Sequence, residues 1–263
     1  MTRLIWDGVG QRLFETGVDR GVFYPASGAG VPWNGLISVN ETPTGGQATP
    51  FYIDGYKYQN RAAPEEFEAD LEAYTYPDEF EAAAGLRPLG NGLSIGLQHR
   101  SSFGLCYRTR IGNDVDLDRH GYKIHMVYNA LAAPSNKNYQ TTGANPEALT
   151  FTWSVTTKPV KVTGYRPTPY MMVDTTKVAP PLLAQLEDIL YGSASTASRL
   201  PTPTELIALF VGAPTFFVTD LGNGLFTVSG TDEQVRLVDP NTFQITNTAV
   251  TDNGNGTFTA TSS

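Results

Sequence analysis

Gly92, Leu93, Ser94, Ile95 and Gly96 spell the G-x-S-x-G string that seats a nucleophilic serine on a sharp turn, and Asp114 and His120 follow in the serine, acid, histidine order of an acyl-transfer triad. The flanks argue against that chemistry. An elbow needs a strand before it and a helix after it, whereas Leu86-Arg87-Pro88 precedes the string and a β-like stretch with Ser101 and Phe103 follows. A glycine-flanked turn is expected there. Asp114, Asp116 and Asp118 have the spacing of the first three ligands of a calcium loop, but Arg119 stands where that loop needs glycine and His125 where it needs a bidentate glutamate. A solvated acidic loop is the expectation. His99, His120 and His125 form no i, i+4 pair around a glutamate, which excludes the helical zinc-protease pattern. Gly8 with Gly10, and Gly28 with Gly30, lack the remaining spacing of a phosphate loop. Carboxylate pairs for sugar hydrolysis can be drawn from Glu66 to Glu72, or from Asp78 and Glu79, yet any acidic chain offers such pairs. Trp6, Trp33 and Trp153 fit a carbohydrate platform, but such residues more often belong to a core or an interface. The chain is therefore expected to be no enzyme, with no catalytic residue, cofactor or metal site.

The elements that would position these residues are β-strands. A chain of 263 residues with 40% hydrophobic and 17% charged residues is long and apolar enough to bury a core. Its 26 glycines and 18 prolines, with abundant Thr, Tyr and Phe, favour short strands and tight turns. The first residues, Met1 to Gly8, meet an acid and a glycine before any apolar run, so no export signal is expected. The run Leu206 to Ala213 is too short to span a bilayer, so no membrane partner is expected. A single cysteine, Cys106, excludes an internal disulfide and reads as a buried, inert thiol. A net charge of −8 disfavours tight nucleic-acid binding, though it suits a surface past which DNA slides.

Arg12 to Thr16 and Gly21 to Tyr24 flank a turn-like Gly17 to Arg20, and Thr49 to Ile53 and Tyr56 to Tyr58 flank Asp54-Gly55, a strong hairpin signal. Pro25 to Pro32 and Thr42 to Gln47 read as loops. In Glu66 to Tyr76, Phe67, Ala69, Leu71 and Ala73 alternate with Glu66, Glu68, Asp70 and Glu72; Glu, Ala and Leu also favour helix, but alternation over eight residues predicts a strand with an apolar and an acidic face. Further strands are expected at Ser101 to Ile111, Gly121 to Tyr128 and Leu149 to Thr157, the first two joined by the acidic loop Gly112 to His120. A helix opens at Pro180-Pro181 and closes at Gly192, and a second starts with the capping box of Thr202 and Glu205 with proline at its first position. Beyond Gly212, Val218 to Thr227 recurs as Val250 to Thr259, a repeated strand, glycine turn and strand. The division expected is residues 1–210 as the main domain and 211–263 as a small β module.

Five stretches carry a family likeness: FEADLEAYTYPDEF from Phe67, SFGLCYRTRIGNDVD from Ser102, HGYKIHMVYNALAAPS from His120, and the late LEDILYG and RLPTPTELIALF. Across most of residues 1–210 the chain resembles the major tail tube protein of long-tailed, siphovirus-type phages of actinobacteria, and its terminal repeat resembles the decoration such subunits carry. That resemblance implies a mainly β sandwich or barrel related to the tube protein of type VI secretion, forming hexameric rings stacked into a hollow tube. It implies strands continued by neighbours around the bore and a long loop reaching the next ring. It further implies, as partners, other copies of the chain, a tape measure protein, a tail terminator and distal tail or baseplate proteins, with DNA passing unbound and the subunit located in the virion tail after synthesis in the host cytoplasm. Glu66, Glu68, Asp70 and Glu72 would then face the lumen, where repulsion keeps phosphates hydrated. The alternatives are another virion β protein, such as a head decoration or tail fibre component, and a carbohydrate-binding module.

Overall fold

The computed structural model describes residues 4, 6–63, 65–135, 137–139, 141 and 148–211, and beyond these the backbone of six strands. The chain is mainly β, with antiparallel sheets and two short helices. It divides into two compact units, Met1–Val160 with Pro167–Pro201, and Lys161–Arg166 with Thr202–Ser263.

In the first unit the strands are β1 (Phe14–Tyr24), β2 (Val31–Pro32), β3 (Leu36–Glu41), β4 (Thr44–Gly45), β5 (Ala48–Ile53), β6 (Tyr56–Ala62), β7 (Glu65–Glu66), β8 (Glu68–Ala73), β9 (Arg87–Gly90), β10 (Leu93–Ile95), β11 (Phe103–Asn113), β12 (Leu117–Ala132), β13 (Phe151–Thr157) and β14 (Tyr170–Asp174). The main sheet runs β2-β1-β11-β12-β13-β8-β3, and β14 joins it through β12. The long β12 serves two neighbours: β14 pairs with Lys123 to Val127 and β13 with Ala130 to Ala132, the change coming at Asn129, whose φ is +47°. The sheet curls until its ends meet, because β3 packs against β1. Gly21 lies at this close approach, where a Cβ would stand 2.8 Å from Leu36 Cδ2 and 3.3 Å from Trp33 Cβ. The backbone N–H of Trp33 donates to Gly21 O at 2.7 Å across the same seam.

Alternation along these strands sends one set of side chains into the curl. Phe23, Trp33, Leu71, Phe80, Phe103, Leu105, Tyr107, Val127, Trp153 and Val155 form that core. Phe80, on a single 3-10 turn at Asp78–Glu81, plugs it. The opposite face of β1, β11 and β12 is covered by helix α1 (Pro180–Tyr191), which buries Leu186 and Leu190, and Tyr24 donates its hydroxyl to Leu190 O at 2.8 Å. Gly192 ends the helix at φ +84°. Cys106 lies buried on this face, and burial pushes its thiol up, so it is inert as expected.

Two local expectations are corrected. Gly17 to Arg20 is no hairpin turn; β1 runs straight through it, absorbing Gly17 (φ +65°) and Arg20 (φ +46°) as bulges in its pairing with β11. Thr42 to Gln47 is a loop only in part: Thr44–Gly45 form β4, which pairs with β7, while the residues on either side lie outside any strand. The strand expected at Glu66 to Tyr76 is present as β7 and β8 but stops at Ala73, and the Asp54-Gly55 turn has the two positive φ values, +49° and +80°, that such hairpins need.

The second unit holds helix α2 (Pro203–Val211). Its capping box is reciprocal: Glu205 N–H donates to Thr202 Oγ1 at 3.3 Å and Thr202 N–H to Glu205 Oε2 at 2.8 Å. The strands β15 (Phe217–Gly222) and β16 (Leu225–Ser229) pair, as do β17 (Val235–Asp239), β18 (Thr242–Ile245), β19 (Thr248–Asp252) and β20 (Phe258–Ser262) in that order. The glycine turns of the repeat, at 223–224 and 253–257, lie outside the described residues, as do residues 1–3 and 5 of the leader reading.

Candidate assembly surfaces

The catalytic strings resolve into ordinary structure. Ser94 sits on β10, the second strand of a hairpin turned by Asn91 and Gly92 at φ +50° and +77°, and its hydroxyl donates to Glu81 Oε2 at 3.2 Å. His120 is occupied elsewhere, with its Nδ1 3.0 Å from Asp116 Oδ2. Of the calcium-like aspartates, Asp114 accepts from Gly10 N–H at 3.0 Å and Asp118 from Arg110 at 3.0 Å. The hydrogen bonds from His120 and Asn113 hold the Asp116 carboxyl below the usual range. The carboxylates therefore pair with protein donors, and among the described residues no cluster of three or more His, Cys, Asp or Glu side chains could hold a metal ion.

The acidic row is built by β8. Ala69, Leu71 and Ala73 point into the core while Glu68, Asp70 and Glu72 share the other face, half-buried. Glu66 stands apart on β7, exposed and on the ribbon that leaves the sheet. The row is flanked by polar partners: Asp70 lies opposite Ser154 on one side and Asn40 on the other, and Glu72 opposite Thr152 and Ser38. Ser154 donates its hydroxyl to Asp70 Oδ1 at 2.5 Å. The outer face of β3, β8 and β13 is thus hydroxyl-rich, amide-bearing and anionic, a surface that offers phosphates acceptors and little cationic charge.

From this face an arm departs. Thr42 N–H donates to Glu68 O at 2.8 Å, β4 pairs with β7, Ala63 N–H donates to Gln47 O at 3.4 Å, and β5 pairs with β6. At about 3.3 Å per residue, the ribbon from Thr42 to the turn after Ile53 can reach roughly 40 Å. Every residue of β4 to β7 is exposed. Its outer half carries Phe51, Tyr52, Ile53, Tyr56 and Tyr58, with Tyr56 80% exposed. A two-stranded ribbon wet on both faces is marginal in water by itself, and so large an apolar display on a surface marks an interaction site.

A second exposed hairpin is formed by β9 with β10. The hairpin presents Leu89, Leu93 and Ile95 to solvent, and Leu97, two residues beyond β10, is exposed as well. Asn91-Gly92, both at positive φ, is the dipeptide that favours such a two-residue hairpin.

Strand borders complete the picture. Among the described residues, β1 is bordered on its outer side by β2 only at Val22 and Phe23, β3 pairs only with β8, and β14 only with β12. Between the β1 and β3 ends opens a cavity of about 560 Å³, lined by Asp19, Gly21, Trp33, Gly35, Leu36 and Tyr191. Asp19 is committed there to Arg108, through bonds of 2.7 and 2.9 Å, and to Arg110 at 3.1 Å; the Arg108 hydrogen bond holds its carboxyl low.

No protein-family profile and no curated protein matches the chain. Among solved structures, the chain is similar over 66% of its length, at 12% identity and a TM-score of 0.35, to the whole of a chain in the six-fold symmetrised baseplate of the anti-feeding prophage. It is similar over 59% of its length to 93% of a chain in the sheath/tube terminator of an extracellular contractile injection system, at 11% identity and a TM-score of 0.30. The third is a chain in the sheath–tube complex of such a system, 88% of which is covered by 59% of this chain at 12% identity and a TM-score of 0.29.

Proposed function

We propose that the chain is a structural virion protein, the repeating subunit of a phage tail tube, stacking as hexameric rings around a bore through which DNA passes. The observation that carries the reading is the arm. It is a ribbon anchored in the main sheet, exposed throughout and aromatic at its outer half, which gives each subunit a means to reach beyond its own ring. The outer border of β14 supports the same conclusion, since an open edge is a hazard in a lone protein and becomes a joint between identical neighbours. Joints whose rotation does not close on itself build a filament. The other partners, a tape measure protein, a terminator and distal tail or baseplate proteins, follow from the resemblance of the five sequence stretches.

The purified chain, concentrated with and without a tail assembly seed and viewed by electron microscopy, is expected to form uniform tubes with an open bore. Discrete particles in both conditions would overturn the tube and favour a head decoration or fibre component.

Glu68, Asp70 and Glu72 line the bore in this reading, with Glu66 at the base of the arm. Glu68→Lys with Glu72→Lys is expected to leave tubes intact while slowing DNA release by about tenfold at low salt, an effect that fades as salt rises because lysine contacts to phosphate release counterions. Release at the normal rate from intact tubes would move the row off the lumen.

A further inference from the structure

Two apolar patches stand at opposite ends of the main sheet. The first is the β9–β10 hairpin, whose root is tied to the last residues of β12: Arg100 donates to Ala132 O and Ala133 O at 3.1 and 3.2 Å, and Gln98 N–H donates to Gly85 O at 2.9 Å. Every residue from Arg87 to His99 is exposed, and Leu89, Leu93, Ile95 and Leu97 are its large apolar members. The second patch lies where β1 starts and β11 ends. There Phe14 pairs with Gly112, Gly10 N–H donates to Asp114 Oδ1 at 3.0 Å, and Asn113 Nδ2 donates to Gly10 O at 3.3 Å. These bonds fasten the segment before β1 onto the β11–β12 turn and gather Val9, Leu13, Phe14, Val115 and Leu117, all exposed.

The two patches cannot cover each other within one chain. Strand β11 connects the two ends, with Phe103 paired to Ala130 at one and Asn113 paired to Leu117 at the other. Ten steps along it at about 3.3 Å put about 33 Å between them. A hairpin whose longer strand has four residues extends only about 15 Å.

Each patch also holds one leucine under strain. Leu97 is fully exposed at φ +59°, and Leu117 is 66% exposed at φ +54°. The left-handed region crowds the Cβ of a bulky residue, whereas glycine or asparagine sits there readily. In a chain that stayed alone, both leucines would lose twice, strained in the backbone and wet in the side chain. Burial against a partner returns the side-chain part, and strain of this kind gathers at working surfaces.

We propose that the β9–β10 hairpin of one copy docks on the β1–β11 end of a second copy, with Leu97 of the one and Leu117 of the other in the contact. Three observations choose a second copy as the occupant. The nine apolar side chains, at roughly 100 Å² apiece, together with a polar rim reach the roughly 1,000 Å² that a specific interface needs. Arg87 is the one charged residue between Leu86 and Gln98, whereas Asp116 and Asp118, paired with His120 and Arg110, each keep 50% of the side chain exposed beside the second patch. Two different patches at opposite ends also make a head-to-tail joint, which propagates from copy to copy. The joint is separate from the arm, and it rests on the self-assembly in the proposed function but on neither the bore nor the six-fold ring.

The test uses two full-length preparations, one carrying Leu97→Cys and one carrying Leu117→Cys, treated with a short bis-maleimide singly and mixed. Cys106 is buried, so the wild-type chain is the unreactive control. Cross-linked dimers are expected in the mixture and in neither preparation alone. No cross-link in the mixture, or dimers within the Leu97→Cys preparation by itself, would overturn the joint. Leu97→Asn and Leu117→Asn are each expected to raise the concentration at half-association by about tenfold, the effect of removing one buried leucine. Their thermal midpoints should hold or rise, because asparagine accepts the left-handed backbone. A lower midpoint with association unchanged would make the leucines structural and remove them from the contact. Electron microscopy of the same samples separates the joint from the tube: cross-linking in the mixture without tubes keeps the joint and removes the tube, and tubes without cross-linking do the reverse.

Discussion

Replacing residues 46–64 with a two-residue turn is expected to abolish tube formation while leaving the first unit folded. The arm's strands bury nothing in the subunit, and the β3–β8 pairing that anchors it begins beyond the cut, so unfolding free energy should change by less than about 1 kcal/mol. What disappears is the contact to a neighbour. If Phe51, Tyr52 and Tyr56 each cover about 100 Å² on docking, at about 25 cal/mol per Å² they supply roughly 7 kcal/mol, which is about a 10⁵-fold rise in the concentration needed to polymerise. Sedimentation of assembled material against total concentration measures it directly. Tubes forming from the truncated chain at the usual concentration would remove the arm from the joint.

Phe80→Ala should be the most damaging single substitution in the fold. The side chain is fully buried, and its ring lies 4.8 Å from that of Trp33, 5.0 Å from Trp153, 5.5 Å from Phe23 and 5.6 Å from Phe103. Those neighbours come from different strands and from the link before β3, so no one element can move in to fill the hole. The expected cost is about 3–5 kcal/mol, the transfer term plus an uncollapsed cavity, read as a shift in the denaturation midpoint with an unchanged slope. A loss below about 1 kcal/mol would mean that the core repacks freely and that the 3-10 turn is not its plug.

Much of the local structure could be read directly from residues. Alternation between Phe67 and Ala73 specified a strand with an acidic face because side chains on a strand repeat every second residue. Asp54-Gly55 specified a turn because both positions need positive φ, and Thr202 with Glu205 specified a helix start because each satisfies the other's free N–H. Such signals act over a few residues and carry their own energy.

Elsewhere local rules misled. Gly17 to Arg20 has turn composition, yet β11 offers it a partner strand, and two bulges cost less than an unpaired edge. Thr42 to Gln47 has loop composition, yet the returning strand is already aligned beside it by the β3–β8 register. In both places pairing outweighed propensity.

The chain's residues alone settled its β character and its acidic strand face, because periodicity and turn geometry are properties of neighbours along the chain. Folding in three dimensions decided the rest: that Asp19 meets Arg108, that Glu15 and Glu41 come to stand on either side of His125, and that the ribbon stands free of the sheet. These are pairings across long sequence separations, set by register and by the curl that brings β1 to β3, and no window of sequence contains them.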